Sequence, residues 1–311
     1  MDPRPIVRFA LRGRAALATI FLALAASTLA AQELSPRAYW PAPTGTKVVT
    51  VGYAHSRGDV LTDRSLPVYG VDSRIDNGVV GYLQTFRLFG RTANFVVEVP
   101  YARATTEGAL YGVPVRRDYS GLGDIATTLA INLVGAPAMT PEEFARLRSD
   151  PPALLGASLR VVAPTGHYEA QRLLNVGTNR WAAKLELGSA LPLAAKWLAE
   201  FQLAVWLFGD NDEFVSGKRE QDPVYSVQGH LVRRFRAGFW ASLDANYFTG
   251  GRTTIGGVER DDLQQNSRLG GTIVYPVARG HVVKLGYSTG LRTESGGDFD
   301  QYTLSYSRIF R

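Results

Sequence analysis

The chain of 311 residues has no cysteine, which excludes disulfide bonds, thiolate zinc sites and cysteine nucleophiles. The absence also suits a protein that crosses an oxidising compartment before it folds. Long apolar runs are scarce: after residue 31 none reaches the length of about 18 residues that predicts a membrane helix. Charged residues make up 20% of the chain and the mean hydropathy is −0.06, so a bundle of membrane helices is excluded.

The net charge of +6 does not indicate nucleic-acid binding, because the N-terminus supplies half of it. Residues 1–30 contain four arginines against one aspartate, a net charge of +3. No basic run with interleaved aromatic residues follows, so no nucleic-acid partner is expected.

The first 31 residues have the layout of a secretory signal peptide. An arginine-rich stretch at 2–14 precedes the apolar run AALATIFLALAA at 15–26, and small residues follow. A helix of this length spans only about 18 Å, too short for a hydrocarbon core of ~30 Å, and an uncleaved anchor is the alternative. We therefore expect a signal peptide at 1–31, a short periplasmic segment at 32–45 and a barrel domain at 46–311.

Glycine and aromatic residues are abundant, with 32 Gly, 14 Tyr, 14 Phe and 5 Trp, and this enrichment favours β structure. Apolar and polar residues also alternate with a period of two. The clearest case is 239–248, where Leu243 and Tyr247 share one face and Asp244 and Asn246 the other. Twelve segments follow this pattern, and we predict strands at 46–55, 78–89, 93–105, 121–133, 153–164, 179–191, 197–208, 224–234, 238–249, 264–276, 282–293 and 299–310.

The connections between these segments alternate in length, and short turns at one end with long loops at the other are typical of outer-membrane barrels. The connection 134–152 breaks the rule, and its Thr140-Pro141-Glu142-Glu143 sequence predicts a short periplasmic helix. The short connections are 90–92, 192–196, 235–237 and 277–281; the long ones are 56–77, 106–120, 165–178, 209–223 and 250–263.

A strand that crosses a bilayer needs a partner for every backbone polar group, so only a closed sheet fits lipid. The predicted fold is therefore all-β: a transmembrane antiparallel up-and-down β-barrel of about 12 strands in the bacterial outer membrane, with short periplasmic turns and long extracellular loops. Aromatic residues near the segment ends fit interfacial girdles, while the core of a soluble secreted sandwich is the alternative. They are Tyr53, Phe89, Tyr101, Trp181, Trp197, Phe208, Tyr247, Phe248, Tyr275 and Phe310.

The last segment supports the membrane prediction. Tyr302, Leu304, Tyr306 and Phe310 alternate toward the aromatic end that envelope barrels commonly carry, although Arg308 interrupts the apolar face. We expect outer-membrane lipid to contact the apolar face, and the barrel-assembly machinery to engage this C-terminal strand.

Four motifs resemble those of a known family. With the strand spacing, they are similar to the outer-membrane β-barrel family linked to transport in the phenol meta-cleavage degradation pathway, over most of residues 36–311. The resemblance implies an outer-membrane barrel that takes up aromatic or other hydrophobic small molecules, and it brings no catalytic residues with it. The motifs are Gly121-Leu122-Gly123-Asp124, Thr140-Pro141-Glu142-Glu143-Phe144, Pro164-Thr165-Gly166-His167-Tyr168 and Asn175-Val176-Gly177-Thr178-Asn179-Arg180-Trp181.

The strand alternation places polar side chains of both charges in the barrel interior. They are interpreted either as a pathway for a permeating solute or as paired charges that fill a narrow lumen. Barrels of about eight strands are filled by their own side chains and those of about sixteen leave a channel, so twelve leaves both open. The predicted lumen residues are Glu98, Asp124, Arg160, Lys184, Glu186, Glu200, Gln202, Gln228, His230, Asp244, Asn246, Lys284 and Arg292.

Two of the long loops carry polar clusters. Loop 165–180 is interpreted either as a capture loop at the extracellular mouth or as a loop folded on itself at its glycines. Loop 209–222 contains several acids but lacks the ligand spacing of a calcium loop, so no metal is predicted. The candidate mouth residues are His167, Tyr168, Asn179 and Arg180.

No catalytic constellation is recognisable around the four histidines, His55, His167, His230 and His281. None has a serine partner at the short spacing of an outer-membrane phospholipase, and GxSxG, HExxH and phosphate-loop motifs are absent. We therefore predict no enzyme and no cofactor. The predicted function is a channel or transporter for passive uptake of small hydrophobic or aromatic compounds. The alternative is a non-transporting structural or surface-interaction barrel with a filled lumen.

Overall fold

The computed structural model describes residues 34–59, 68–110, 112–172, 174–214, 217–294 and 298–310. The predicted signal peptide lies outside these residues. Among the residues described, no helix has the length and hydrophobicity that crossing a membrane requires. The elements are β1 (Lys47–Gly58), β2 (Val68–Leu88), β3 (Arg91–Leu110), β4 (Val113–Leu122), β5 (Ala126–Val134), α1 (Pro141–Ser149), β6 (Leu154–Val162), β7 (Ala182–Ala194), β8 (Trp197–Phe208), β9 (Arg219–Gln221), β10 (Val224–Arg236), β11 (Phe239–Gly250), β12 (Thr253–Ile255), β13 (Val258–Glu259), β14 (Gln264–Ala278), β15 (His281–Arg292) and β16 (Phe299–Phe310).

The main sheet closes into an antiparallel barrel of twelve spans, as predicted. Neighbours in the wall are neighbours in sequence, and β16 returns to pair with β1, Phe310 lying opposite Lys47. The strands β4 and β5 together form one span, because both pair with β3. Three short strands, β9, β12 and β13, form a separate small sheet in the long loops.

Apolar side chains point outward and polar side chains point into the barrel, as predicted. Leu203 and Leu243 are more than 60% exposed on the outer face, whereas Glu200 and Asp244 on the same strands are buried in the interior. Most aromatics of the predicted girdles are exposed on the outside, as Trp181 is. Phe208 and Phe248 are exceptions, because both point into the barrel: Phe248 is fully buried there, and Phe208 is partly buried against the same apolar cluster.

Two predicted loops are wrong in part, because the wall extends beyond the predicted strands. Residues 106–120 belong largely to the β3–β4 hairpin, which stays paired up to Leu110 opposite Val113, and β2 already begins at Val68. Polar residues occupy both faces here, for example Thr106, Glu107 and Arg117. Hydrophobic alternation disappears although the backbone ladder continues.

The predicted helix in the connection 134–152 is present as α1. Thr140 caps it: its hydroxyl accepts a hydrogen bond from the Glu143 amide at 3.3 Å, and the Glu143 carboxylate accepts from the Thr140 amide at 2.8 Å. Phe144 on the buried face of α1 packs into the turn end of the barrel.

Candidate functional site

Residues 34–46, which we call the plug, lie inside the barrel. The expectation of a periplasmic segment at 32–45 therefore does not hold for the described part of it. The Ser35 amide donates to Gln228 Oε1 at 3.1 Å, and Gln202 Nε2 donates to the Ser35 carbonyl at 2.8 Å. On the other side of the lumen, Asn132 Nδ2 donates to the carbonyl of Tyr39 at 2.8 Å. The polar wall thus supplies the hydrogen bonds that an irregular buried segment needs.

Arg37 is the charged contact of the plug with the wall. Its amide donates to Glu200 Oε2 at 2.7 Å, and its Nε lies 3.7 Å from Glu200 Oε1, with both side chains buried. The guanidinium also stacks on Trp40 at 3.6 Å. Across the wall, Glu200 lies opposite His230, which lies opposite Asp244, and His230 Nδ1 is 2.9 Å from Asp244 Oδ1. A row of titratable groups therefore faces the plug.

Tyr39 lies against two wall glycines. A Cβ at Gly156 or Gly188 would come within 2.2 Å of its ring, so only glycine permits this close approach. The hydroxyl lies 3.0 Å from both Ser158 Oγ and Glu186 Oε1. Shape and hydrogen bonds together fix the plug at this point.

Among the described residues, two cavities lie between the plug and the wall. One, of about 730 Å³ with the solvent at its opening included, lies against β1, β2, β11, β14, β15 and β16. Its lining mixes apolar and neutral polar residues and contains the charged residues Asp244 and Lys284. The other, of about 550 Å³ on the same basis, lies against β3, β5, β6 and β7. Its wall carries two ion pairs, Arg160 with Glu98 and Lys184 with Glu186.

The turn end of the lumen is closed by apolar side chains, which we call the periplasmic seal. Plug residues, the α1 connection and the inward-facing ends of the strands all contribute. Its buried members are Trp40, Ala42, Val48, Leu83, Val96, Ala136, Met139, Phe144, Leu154, Ala190, Leu198, Val232, Trp240, Val274, Val282 and Ile309.

A second apolar group, the mouth cluster, lies at the loop end of the lumen. It consists of Ala126, Val162, Trp206, Val224 and Phe248, with Ala182 and Phe208 packed against it. Trp206 and Phe208 stack at 6.3 Å, and Lys184 Nζ lies 5.8 Å from the Trp206 ring. The rings of Trp206 and Phe248 are buried, so a solute that enters from the loops would have to displace this cluster before it reaches the charged row.

Loop 165–180 is folded on itself and bound to its neighbour. Gly166 and Gly177 touch, since a Cβ on either would come within 2.8 Å of the other's backbone. Tyr168 donates to the Glu213 carbonyl at 3.2 Å, and Asn179 Nδ2 donates to Asn211 Oδ1 at 3.0 Å. The remaining candidates differ: His167 is exposed beside Glu169, and buried Arg180 lies 4.7 Å from the Phe208 ring and contacts Gln221.

Two acids of loop 209–222, Asp210 and Glu220, share one lysine partner. Lys218 Nζ lies 2.6 Å from Asp210 and 3.0 Å from Glu220, and hydrogen bonds to these two carboxylates raise the pKa of Lys218. Over the described ranges, no group of three or more His, Asp or Glu side chains could hold a metal ion.

The structure brings the predicted lumen residues together with two exceptions, Asp124 and Arg292. Arg292 is exposed at the loop end of β15, where it pairs with Glu294. Glu98, Arg160, Lys184, Glu186, Glu200, Gln202, His230 and Asp244 are buried in the interior, and Lys284 lines the larger cavity. Asp124 lies instead in the break between β4 and β5, where it holds loop 165–180. Sequence reasoning missed the plug; the polar and aromatic residues before the first strand were its only signal.

Replacing Asp124 by alanine should loosen this loop. The carboxylate accepts from the Gly166 amide at 2.8 Å, the Thr178 amide at 2.9 Å and the Thr178 hydroxyl at 2.7 Å. Hydrogen bonds to charged groups contribute about 1.5–3 kcal/mol each, so amide exchange at 166 and 178 should accelerate at least ~10-fold. Glu169→Ala, which removes only exposed ion pairs of the same loop, is the control. Equal exchange in the two variants would contradict the assignment.

The family model described as "Putative MetA-pathway of phenol degradation" matches residues 53–307. Among solved structures, the COG4313 outer membrane channel from Pseudomonas putida F1 has a TM-score of 0.76 at 24% identity, covering 89% of this chain and 100% of that chain. The β domain of the Bordetella autotransporter BrkA has a TM-score of 0.48 at 13% identity (86% and 100% covered), and the CymD monoaromatic hydrocarbon channel one of 0.47 at 9% (87% and 90%). A comparison with curated proteins finds no match. The chain thus shares its barrel fold with a solved channel.

Proposed function

This chain belongs to the phenol-degradation family whose model it matches, and from that premise we propose that it is an outer-membrane channel for passive uptake of small hydrophobic or aromatic compounds. The observation that carries the proposal is the arrangement of the lumen: a mouth cluster of aromatic side chains, a charged row, and a plug that is held by non-covalent contacts. Such a barrel has an entrance that suits apolar rings and an obstruction that can be displaced.

The proposed pathway starts at the mouth cluster and continues past the plug to the periplasm. Its polar wall consists of residues that face the plug or line a cavity: Glu98, Arg160, Lys184, Glu186, Glu200, Gln202, His230, Asp244 and Lys284. Paired charges of both signs offer no net attraction for an ion, which agrees with a neutral solute. Loop 165–180 forms part of the entrance through Tyr168, Asn179 and Arg180, with His167 at its exposed surface.

Uptake measurements test the proposal most directly. Cells that carry the gene should take up radiolabelled phenol severalfold faster than cells without it, at concentrations where diffusion through lipid is slow. Trp206→Ala should reduce this difference, because it removes the largest ring of the mouth cluster. Trp181→Ala is the matched control, since Trp181 is exposed on the outer face. Equal uptake with and without the gene overturns the proposal.

A non-transporting envelope barrel is the second candidate. The plug, the two ion pairs of the smaller cavity and the periplasmic seal fill much of the lumen, and this favours a structural or surface role. Planar-bilayer recordings of the refolded protein separate the two. Neither conductance nor solute-dependent uptake is expected of the second candidate.

The membrane partners follow from the outer face. Its exposed leucines and aromatic residues suit outer-membrane lipid, and the all-antiparallel closure pairs the backbone of the wall outside the β3–β4 hairpin. We also assign the C-terminal strand β16, which ends in the exposed Phe310, as the segment that the barrel-assembly machinery engages. Phe310→Ala should lower the amount of heat-modifiable barrel in the outer-membrane fraction, whereas Tyr302→Ala on the same face should not.

A further inference from the structure

The outer face of the barrel carries a continuous group of rings at the turn end, which we call the aromatic strip. It crosses four adjacent strands, β8, β10, β11 and β14, and consists of Trp197, Phe235, Phe239 and Tyr275. Phe235 and Phe239 stack at 4.6 Å, and Phe239 meets the Tyr275 ring edge-on at 5.4 Å. Phe235 and Tyr275 remain more than 40% exposed, so the strip faces the surroundings of the barrel.

Two arginines lie on this strip. The Arg233 guanidinium is 5.1 Å from the Trp197 ring and 5.5 Å from the Phe235 ring. The Arg236 guanidinium is 5.2 Å from the Tyr275 ring and donates to its hydroxyl at 2.8 Å. Both arginines are exposed, and within the described part of the chain neither has a carboxylate within ion-pairing distance. The rings hold the cations in place without neutralising them.

The surrounding surface strengthens the positive charge. Around the turn end, the strand ends and short turns add Lys47, Arg91, Lys196, Arg279 and Arg308 and contain no Asp or Glu, the α1 connection aside. The loop end is different, because exposed tyrosines donate to carboxylates there: Tyr53 to Asp76 and Tyr287 to Asp300. The turn end of the outer face is thus cationic, whereas carboxylates accompany the cations at the loop end.

We propose that the aromatic strip with Arg233 and Arg236 is a binding site for an anionic phospholipid of the inner leaflet of the outer membrane. The inference rests on the proposed outer-membrane location, with the short turns on the periplasmic side, and not on transport. At the level of an aromatic girdle the available anion is a lipid phosphodiester. A guanidinium that stacks on a ring still has N–H groups free to donate, apart from the Arg236 group that bonds Tyr275, and these match phosphate oxygens in a bidentate geometry. The rings provide the contact for the glycerol and upper acyl chains.

Native mass spectrometry of the purified full-length protein in detergent tests this site. The probes are phosphatidylglycerol and phosphatidylcholine with the same acyl chains. We expect tighter binding of phosphatidylglycerol, and a loss of about tenfold or more in its affinity in the Arg233→Gln/Arg236→Gln variant. The control Arg117→Gln/Arg260→Gln removes the same charge from two exposed arginines at the loop end and should bind like the intact protein.

Three outcomes would overturn the proposal: equal binding of the two lipids, equal binding by the two double variants, or displacement of the lipid by excess inorganic phosphate, which would indicate a simple anion site. Heat-modifiable gel migration of each variant separates this failure from that of the proposed function. A folded barrel without lipid preference rejects the site alone, whereas a chain that never forms a heat-modifiable barrel rejects the outer-membrane channel itself.

Discussion

A chain that lacks residues 34–42 conducts ions severalfold better than the intact protein in planar bilayers: this is the largest effect that we expect. The deletion removes Arg37, Tyr39 and Trp40, and with them the contacts to Glu200 and Glu186 and one part of the periplasmic seal. Water then fills the space of the plug. The polar side chains of the wall can hydrogen-bond to this water in place of the plug.

A point variant should also displace the plug and raise the conductance, without shortening the chain. Gly188→Ala places a methyl group within 2.2 Å of the Tyr39 ring, so the plug must shift away from β7. Gly229→Ala is the control, because the nearest atoms to its added Cβ, in the Phe201 ring, are 4.0 Å away. Heat-modifiable migration shows whether each variant has folded. Folded variants that conduct no better than the intact protein would mean that the plug is not the obstruction.

Phe144→Ala is the second large effect, and it concerns the other half of the periplasmic seal. Phe144 is 1% exposed and is the buried residue through which α1 packs into the barrel. Truncating a buried phenylalanine lowers stability by about 3–5 kcal/mol. Because α1 contacts the barrel on one side only, this loss should mainly weaken the packing of the helix against the barrel. We expect amide exchange over 141–149 to accelerate ~100-fold or more, and proteases to cleave the 134–152 connection.

Arg146→Ala is the matched control for this prediction, because Arg146 lies on the exposed face of the same helix. Its exchange rates should stay within a few-fold of those of the intact protein. If Phe144→Ala leaves both exchange and cleavage unchanged, the helix is held by its termini and not by the seal.

The barrel and its polar interior are predictable from the sequence, because alternation is a local property that each strand carries by itself. Leu203 and Glu200 are three positions apart, an odd difference, and must point to opposite faces wherever β8 is placed. The same rule places Lys184 and Glu186 together on the inside of β7. The capping box of α1 is equally local, and its helix starts where Thr140 indicates.

The plug and the role of Asp124 are not local in this sense. Residues 34–46 show neither the apolar period of a strand nor that of a helix. Their position depends on partners that are distant in sequence, such as Gln228, which bonds Ser35 from 193 residues away. Asp124 follows a strand of polar character, so alternation assigned it to the lumen, whereas its partners Gly166 and Thr178 come from a later loop. Contacts of this kind depend on the closed barrel and cannot be read from spacing.

The free edge of β4 sets how deeply the barrel can be immersed. The described residues form no strand ladder on the edge of β4 that faces away from β3, and at the lower end of that edge the His167 amide donates to the Leu122 carbonyl at 2.7 Å. Hydrocarbon cannot accommodate a row of bare backbone amides and carbonyls. The outer boundary of the acyl chains must therefore pass no higher than Leu122 on this side, which leaves the β3–β4 hairpin standing in the headgroup layer and the water beyond it.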